Sequence, residues 1–343
     1  MIQYQKFNVS FIKKILKSAE AFIVPDFNLN FFFLMLFRKF IKKETIVIIK
    51  HSAPSKHNKK YETWGDAHLA EDLAKRLKRK GLCVIIHASN RTKNVETYFA
   101  DYVIVMLGLL NYTPLKKNKN TAWLISHPDL RTPEELKKYD HICIASEKLT
   151  EEYKNKYNLP ASFLPQFSEP EKFYPSENCK YQNDILFVGN TRGIYRETVK
   201  FAIEAGFNVS VYGDEWRKFI DKKYIKGNVI KNCELRKYYS NAKIVLNDHW
   251  QNMREHGFIS NRIFDATASG AFVLSDYMPE IEKIYGDSVA TYKTKDEFIE
   301  KINFYLDHPE ERIKLAQKAR QITLKEFTSS TQADKLFEII RTL

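Results

Sequence analysis

Short apolar runs alternate with stretches of helical spacing along most of the chain. Ile46–Ile49, Cys83–Ile86, Tyr102–Leu107, Ala122–Ile125 and His141–Ala145 are apolar nearly throughout. That pattern belongs to strands buried on both faces of a parallel sheet. Between the first two, Leu69, Leu73 and Leu77 recur at helical spacing within Trp64–Lys80, and Gly81 ends the run. A second series follows: Ile185–Val188, a helix through Ala205 closed by Gly206, then Val209–Tyr212, Ile244–Leu246, Phe272–Leu274 and Val289–Tyr292. From Asp296 to Leu343 the pattern is helical. Leu164–Pro175 carries three prolines without periodicity and reads as the linker between the two series. The expectation is an α/β protein of two Rossmann-like, doubly wound domains facing a cleft, 1–168 and 169–343, with a helical C-terminal tail. The last helix, about 328–343, is expected to return to the first domain.

Composition narrows the partners more than the fold. With 343 residues, 44% hydrophobic and 28% charged, the chain has a globular rather than a disordered or fibrous make-up. The formal net charge of +13 attracts nucleic acid, anionic lipid or phosphorylated small molecules. The basic runs Arg38–Lys43, Lys75–Lys80 and Lys116–Lys119 accompany no nucleic-acid-binding module, so they read as solvated faces and no nucleic-acid partner is expected. The cysteines Cys83, Cys143, Cys179 and Cys233 form no C-x-x-C pair, which argues against zinc and suits a reducing cytoplasm. Met1–Ser10 lacks the order of a signal peptide. Phe31–Phe37 is the most apolar stretch, far short of the about 20 residues a membrane span needs. Arg38, Lys39, Lys42 and Lys43 beside it suit peripheral contact with the inner face of a membrane through Phe31–Lys43, while packing of the phenylalanines on the first sheet is the equal alternative.

Candidate chemistry lies in the loops that follow strands. Gly189-Asn190-Thr191-Arg192-Gly193 leads from a strand into a helix, where backbone N–H groups, the helix dipole and Arg192 favour an anion. Tyr212-Gly213-Asp214 lets a ligand approach the backbone at Gly213. The densest polar segment runs from Asn247-Asp248-His249-Trp250 to Ser260-Asn261-Arg262, with Ser260 as the expected N-cap of a helix over Asn261–Ser269. Arg262 and Asp265 are three apart and share one helix face, joining a phosphate-binding cation to a carboxylate suited to ribose. In the first half, Asp66, His68 and His127 are candidates for a general base. On spacing alone Asp66 reads first as an N-cap, and His68 as a partly buried packing histidine.

The segment Gly257-Phe258-Ile259-Ser260-Asn261-Arg262-Ile263-Phe264-Asp265-Ala266-Thr267-Ala268-Ser269-Gly270-Ala271-Phe272-Val273-Leu274-Ser275-Asp276 resembles the C-terminal domain of glycosyltransferases of the two-Rossmann GT-B architecture. It is most similar to the family-1-type domain shared with spore-maturation glycosyltransferase-like proteins. Ile185–Gly189, Tyr212–Asp214 and the terminal helices fit the same domain, and Trp64-Gly65-Asp66, Ser126–Asp129 and Leu164–Gln166 fit the first half more loosely.

The resemblance implies a nucleotide-sugar donor on the second domain, its ribose on Asp265 and its phosphates on Gly189, Arg192 and Arg262. Asn190, Tyr212, Gly213, His249, Ser260 and Asn261 complete the implied donor site. Where many retaining members carry a glutamate, eight residues before the ribose acid, this chain has Gly257. The acceptor, a glycan or a lipid-linked saccharide, is expected on the first domain. No Asp-x-Asp motif stands at a strand end, so transfer is expected without a metal or other cofactor. A nucleotide-sugar epimerase and a non-catalytic binding protein of the same fold are the competing readings.

Overall fold

The computed structural model describes residues 29–58, 61–89 and 95–343; Met1–Ser10 lies outside them. Its strands are β1 (Ile46–Lys50), β2 (Cys83–His87), β3 (Tyr102–Leu107), β4 (Lys119–Leu124), β5 (His141–Ile144), β6 (Ala161–Phe163), β7 (Asn183–Val188), β8 (Val209–Tyr212), β9 (Ile225–Gly227), β10 (Ala242–Asn247), β11 (Val273–Asp276) and β12 (Ala290–Tyr292). They form two six-stranded sheets ordered β2-β1-β3-β4-β5-β6 and β12-β11-β10-β7-β8-β9. Every pairing within each sheet is parallel. The doubly wound α/β architecture expected from the apolar runs is therefore present. The sequence pattern missed β6 and β9, because three residues are too few to show a period.

Strand order reverses once in each sheet, between β1 and β3 and between β7 and β10. Such reversals leave a crevice outside the carboxyl ends of the strands, where ligands of open α/β sheets bind. On one side of the first sheet, Val47 and Ile49 pack with Leu69, Leu73 and Leu77 of the helix Gly65–Arg79. On the other, Ile46 and Ile48 pack with Phe32, Met35 and Leu36 of the helix Leu29–Phe40. That helix divides the apolar run: Phe32 is buried, while Phe33, Leu34 and Phe37 are 46%, 52% and 46% exposed. Among the described residues no helix is long and apolar enough to cross a membrane.

The chain passes between the sheets twice. It leaves the first through Leu164–Phe167, where Trp123 donates from Nε1 to the Leu164 carbonyl at 2.9 Å and stacks on Phe167, ring centres 5.9 Å apart. It returns beside Ser168: the Ser168 N–H donates to the Phe327 carbonyl at 3.0 Å and the Ser329 N–H to the Ser168 carbonyl at 2.9 Å. The final helix, Ser329–Thr342, buries Ala333, Leu336 and Ile340 in the cluster that holds Leu69, Leu73 and Leu77.

The basic run Lys75–Lys80, expected as a solvated face, is instead a seam. Arg76 pairs with Glu169, whose side chain has no exposed surface, and donates from Nε to Ser329 Oγ at 2.9 Å. Lys75 and Arg79 pair with Glu171, and Lys80 with Asp334 of the final helix. The reason is topological: linker and tail converge on one end of the Gly65–Arg79 helix, and their carboxylates meet its cations there. Arg76→Leu would leave Glu169 buried beside two neutral donors, the Ser329 hydroxyl and the Glu171 N–H. Loss of a charge partner at such a site costs about 3 kcal/mol. Urea denaturation should show a fall of that size, whereas Arg79→Leu, whose side chain is half exposed, should change stability by less than about 1 kcal/mol.

Candidate active site

The loop after β7 and the loop after β10 meet at the reversal of the second sheet. Gly189 starts the first. Its N–H donates to the Tyr212 carbonyl at 2.8 Å, and its own carbonyl accepts from Trp216 Nε1 at 2.8 Å. A Cβ on Gly189 would stand 2.6 Å from Arg262 Nη2, and one on Gly213 would overlap the Gly189 carbonyl. Both glycines are thus required by close approach, and Gly213 also by its φ of 151°. Asn190 zips the loops together, its Oδ1 accepting from the Asp214 N–H at 2.8 Å. Arg192 then adopts a left-handed φ of 51°, uncommon for a residue with a Cβ, and Gly193 follows at 86°.

Three guanidinium groups gather at this place. Arg196, at the start of the helix Glu197–Glu204, is buried and bidentate to Asp248: Nε donates to Oδ2 at 3.0 Å and Nη2 to Oδ1, with a further bond from Nη2 to the Asp248 carbonyl at 3.0 Å. Its guanidinium lies 4.6 Å from the ring centre of Trp250, and that of Arg192 lies 5.5 Å from the same ring. Arg262 sits 5.0 Å over Phe187, donates from Nε to the Val188 carbonyl at 2.8 Å and from Nη1 to Asn247 Oδ1 at 2.5 Å. Nε thus holds the end of β7 before the Gly189 loop and Nη1 holds the end of β10, which leaves Nη2 beneath that loop for an anion. Arg196 and its partner Asp248 escaped the sequence reading, since the pair is 52 residues apart. Charges of Arg192, Arg196 and Asp248 all act on Arg262, so the group is one electrostatic unit.

The first domain brings Asp66 and His127 to the same cleft. Asp66 is not an N-cap: the helix Gly65–Arg79 begins with Trp64 in that position, and the Ser52 hydroxyl donates to Asp66 Oδ2. Desolvation raises the Asp66 carboxyl above its ordinary range, against the opposing pull of Ser52, His127 and Arg192. His127 is left-handed at φ 51°, with Nδ1 2.9 Å from Ser126 Oγ. Desolvation and the Arg192 charge hold its ring below the usual histidine value, against Asp129 and Asp66. Asp66, His127 and Arg192, picked out from three separate stretches of sequence, thus influence one another across the cleft.

Other candidates stand elsewhere. His68 faces away: Nε2 lies 3.1 Å from the Glu62 carbonyl, Nδ1 3.8 Å from Glu71, and the ring meets Tyr61 edge-on. His249 is consumed by structure. Its Nδ1 bonds Asp276 at 2.6 Å, its Nε2 accepts from the Ser260 N–H at 2.9 Å, and its side chain is 2% exposed, so neither ring nitrogen is open to a donor. Tyr212 packs edge-on to Tyr238, ring centres 5.0 Å apart. Ser260 does precede the helix Asn261–Ala268, without a side-chain cap bond. Asp265 is buried on that helix and accepts from Asn261 Nδ2 at 2.9 Å; Asn261 Oδ1 itself has no hydrogen-bond partner. Desolvation raises the Asp265 carboxyl well above its ordinary value, countered by Ser168 and pushed further by Asp72. Asp265 is held by Asn261 and influenced by Ser168 and Asp72, while Arg262, three residues earlier, bonds the ends of β7 and β10. Gly257, at φ 74°, has no room for a side chain: a Cβ would lie 2.5 Å from Glu280 Oε1 and 3.1 Å from Ser146 Oγ of the first domain. Among the described residues no cluster of three or more His, Cys, Asp or Glu is placed to hold a metal ion.

Gly213→Ala tests the loop geometry. The added methyl collides with the Gly189 backbone, so the two loops must separate. A fall in nucleoside diphosphate affinity of at least tenfold is expected in titration calorimetry. The same substitution at Gly193, where nothing lies within 4 Å of the added atom, should cost affinity only through its φ, by about 1 kcal/mol.

Residues 192–338, which include Arg192, Arg196 and the whole Asn261–Ala268 helix, match the model of a glycosyl transferase-like family. The spore protein CgeB of Bacillus subtilis is 30% identical over 200 residues, 54% of this chain and 61% of that protein, so the match spans less than two thirds of the relative. Among solved structures, sucrose-phosphate synthase of Thermosynechococcus elongatus superposes with a TM-score of 0.62 at 10% identity, covering 87% of this chain and 99% of that one. The T4 phage β-glucosyltransferase D100A mutant in complex with UDP-glucose gives 0.59 at 18% identity, covering 87% and 100%. With two parallel sheets, a glycine loop at the reversal of the second and these structural matches, the chain has the GT-B fold, and its residues 192–338 are similar to the glycosyl transferase-like family.

Proposed function

We propose that this protein is a glycosyltransferase that moves a sugar from a nucleotide-sugar donor to a hydroxyl of a cell-surface polysaccharide or glycolipid acceptor. The observation that carries the reading is the convergence of Arg192 on one domain with Asp66 and His127 on the other, at the reversals of two facing sheets. The likeness to a protein solved with UDP-glucose supports a nucleotide-sugar donor. Its diphosphate meets Arg192, Arg196 and the free Nη2 of Arg262. On the second domain three guanidinium groups stand against one bonded carboxylate, Asp248, so this wall is cationic toward a diphosphate, with Asp66 of the first domain opposite. Asp265, with Asn261, takes the ribose hydroxyls.

In the transfer step the acceptor oxygen attacks the anomeric carbon, the bond to the diphosphate oxygen breaks, and the acceptor proton passes to Asp66. Negative charge then grows on the departing diphosphate, where fixed guanidinium groups stabilise it more than they stabilise the bound donor. This cationic site does the work that a divalent ion does elsewhere, so turnover proceeds without added metal. Asp66, held by Ser52, is the first choice of base, and His127, its ring kept neutral, the second.

The exposed apolar face of the helix Leu29–Phe40 completes the reading. Phe33, Leu34, Phe37 and Ile41 beside Lys42 and Lys43 suit peripheral attachment to an anionic membrane where a lipid-linked acceptor resides. Phe37→Ser with Ile41→Ser should reduce cosedimentation with phosphatidylglycerol vesicles and leave vesicle-free activity unchanged; undiminished cosedimentation would refute the attachment.

Incubation with a panel of nucleotide sugars, with and without a saccharide acceptor, distinguishes the activities. Acceptor-dependent release of nucleotide is expected. Isomerisation without acceptor would identify an epimerase, and binding without turnover a non-catalytic protein. Asp66→Asn should lower kcat by about 10²–10⁴-fold at unchanged nucleotide affinity. A base works only when deprotonated, so the raised Asp66 carboxyl places the acidic limb of the rate profile above the ordinary carboxylate range, with activity lost as pH falls through it. A limb at an ordinary carboxylate value would dismiss Asp66.

A further inference from the structure

The face of Trp250 is shared by two cations whose backbone anchors differ. Arg196 is fixed by three bonds to Asp248, but Arg192 rises from an exposed loop with a left-handed backbone and makes no side-chain hydrogen bond or ion pair among the described residues. What stands near its guanidinium is the indole of Trp250, 5.5 Å away, which lies 4.6 Å from Arg196 as well. Trp250 is half-buried and packs on the cluster in which Met253 and Phe258 of the second domain join the first-domain core around Val105, Leu107 and Leu124. The adjoining helix Gln251–Glu255 is tied to the first domain at Asp129, whose Oδ1 accepts from Asn252 Nδ2 at 2.6 Å. The indole is therefore anchored on the domain seam on one side and presents its π face to both arginines on the other.

We propose that Trp250 is a positioning residue for the diphosphate: it holds Arg192 beside Arg196 and sets the spacing of the two free cationic faces before a donor arrives. Two like charges repel, and a flexible arginine loses rotamer entropy when fixed. The negative face of the indole opposes both effects, because one ring attracts each cation. A Leu or Ala at 250 would fill part of the space and give no such attraction, so Arg192 would leave the site and the loop 189–193 would keep its shape through Asn190 and Gly213. This inference rests on the diphosphate site proposed above and adds to it a residue that touches no substrate.

The test uses the full chain and compares UDP, ADP and GDP, each against its own nucleoside, by titration calorimetry, since the ratio of diphosphate to nucleoside affinity isolates the phosphate contribution. In Trp250→Leu that ratio should fall about tenfold with nucleoside affinity unchanged. In Trp250→Phe, which keeps an aromatic face, it should stay within about threefold of the native chain. Thermal melts of both variants identify any that fail to fold, and should Trp250→Leu be one of them, Trp250→Met, which keeps bulk without an aromatic face, takes its place with the same expected fall in the ratio. An unchanged ratio in a folded Trp250→Leu, or equal losses for nucleoside and diphosphate, overturns the positioning role while leaving the diphosphate site in place. Native chain that binds no diphosphate more tightly than its nucleoside overturns the site and the inference together.

Discussion

Glu169 is a carboxylate with no exposed surface, and the junction of the two domains is tied at the Arg76 cation and the Ser329 hydroxyl that hold it. It lies on the outgoing linker, Arg76 belongs to the first helix of the first domain, and Ser329 opens the helix that returns from the second. Three segments distant in sequence are thus fixed to one point. A charge left alone there would be costly, so the pairing is enforced by desolvation rather than by attraction across solvent. Beyond that point the segments after β1 and β4, which carry Asp66 and His127, come within electrostatic reach of Arg192 after β7. Together with the seam where Met253 and Phe258 enter the first-domain core and Asn252 bonds Asp129, the Glu169 junction brings Asp66 and Arg192 to one cleft.

Within the cleft the second domain spends most of its polar groups on itself. His249 bridges Asp276 to the start of the Asn261–Ala268 helix, Arg262 props the Gly189 loop, and Asn190 joins that loop to the next. These bonds make a rigid frame, and rigidity is what electrostatic stabilisation of a departing anion requires, since the cations must be in place before the charge appears. Arg192 is the exception: exposed, left-handed and held by an aromatic face rather than by hydrogen bonds. Asp66 on the opposite wall is shaped by the reverse logic, a carboxyl whose desolvation outweighs the hydroxyl and cations around it.

The fold was legible because its strands are apolar on both faces. Ten of twelve were visible as runs, and Gly81, Gly206 and the linker prolines marked where helices and domains stop. Within the site, legibility followed sequence distance. The glycine loop and Arg192 are contiguous with a strand and could be read directly. Arg196 could not, because its meaning comes from Asp248 and Trp250 in another loop. His249 looked like a ligand for the same reason, its two partners being invisible from its neighbours. The helix Leu29–Phe40 shows a third kind of ambiguity: a run that is apolar all round gave no sign of which residues would face the core.

The central claim is that the loop Gly189–Gly193, the three arginines and the first-domain wall form one donor site. A crystal structure of the protein with a nucleoside diphosphate tests it most directly. The account predicts phosphate oxygens within hydrogen-bond reach of the Gly189 loop amides and of the Arg192 and Arg196 guanidinium groups, the ribose at Asp265, and the terminal phosphate directed toward Asp66. A diphosphate bound elsewhere, or one seated at the loop with both arginines still turned away from it, would contradict the claim.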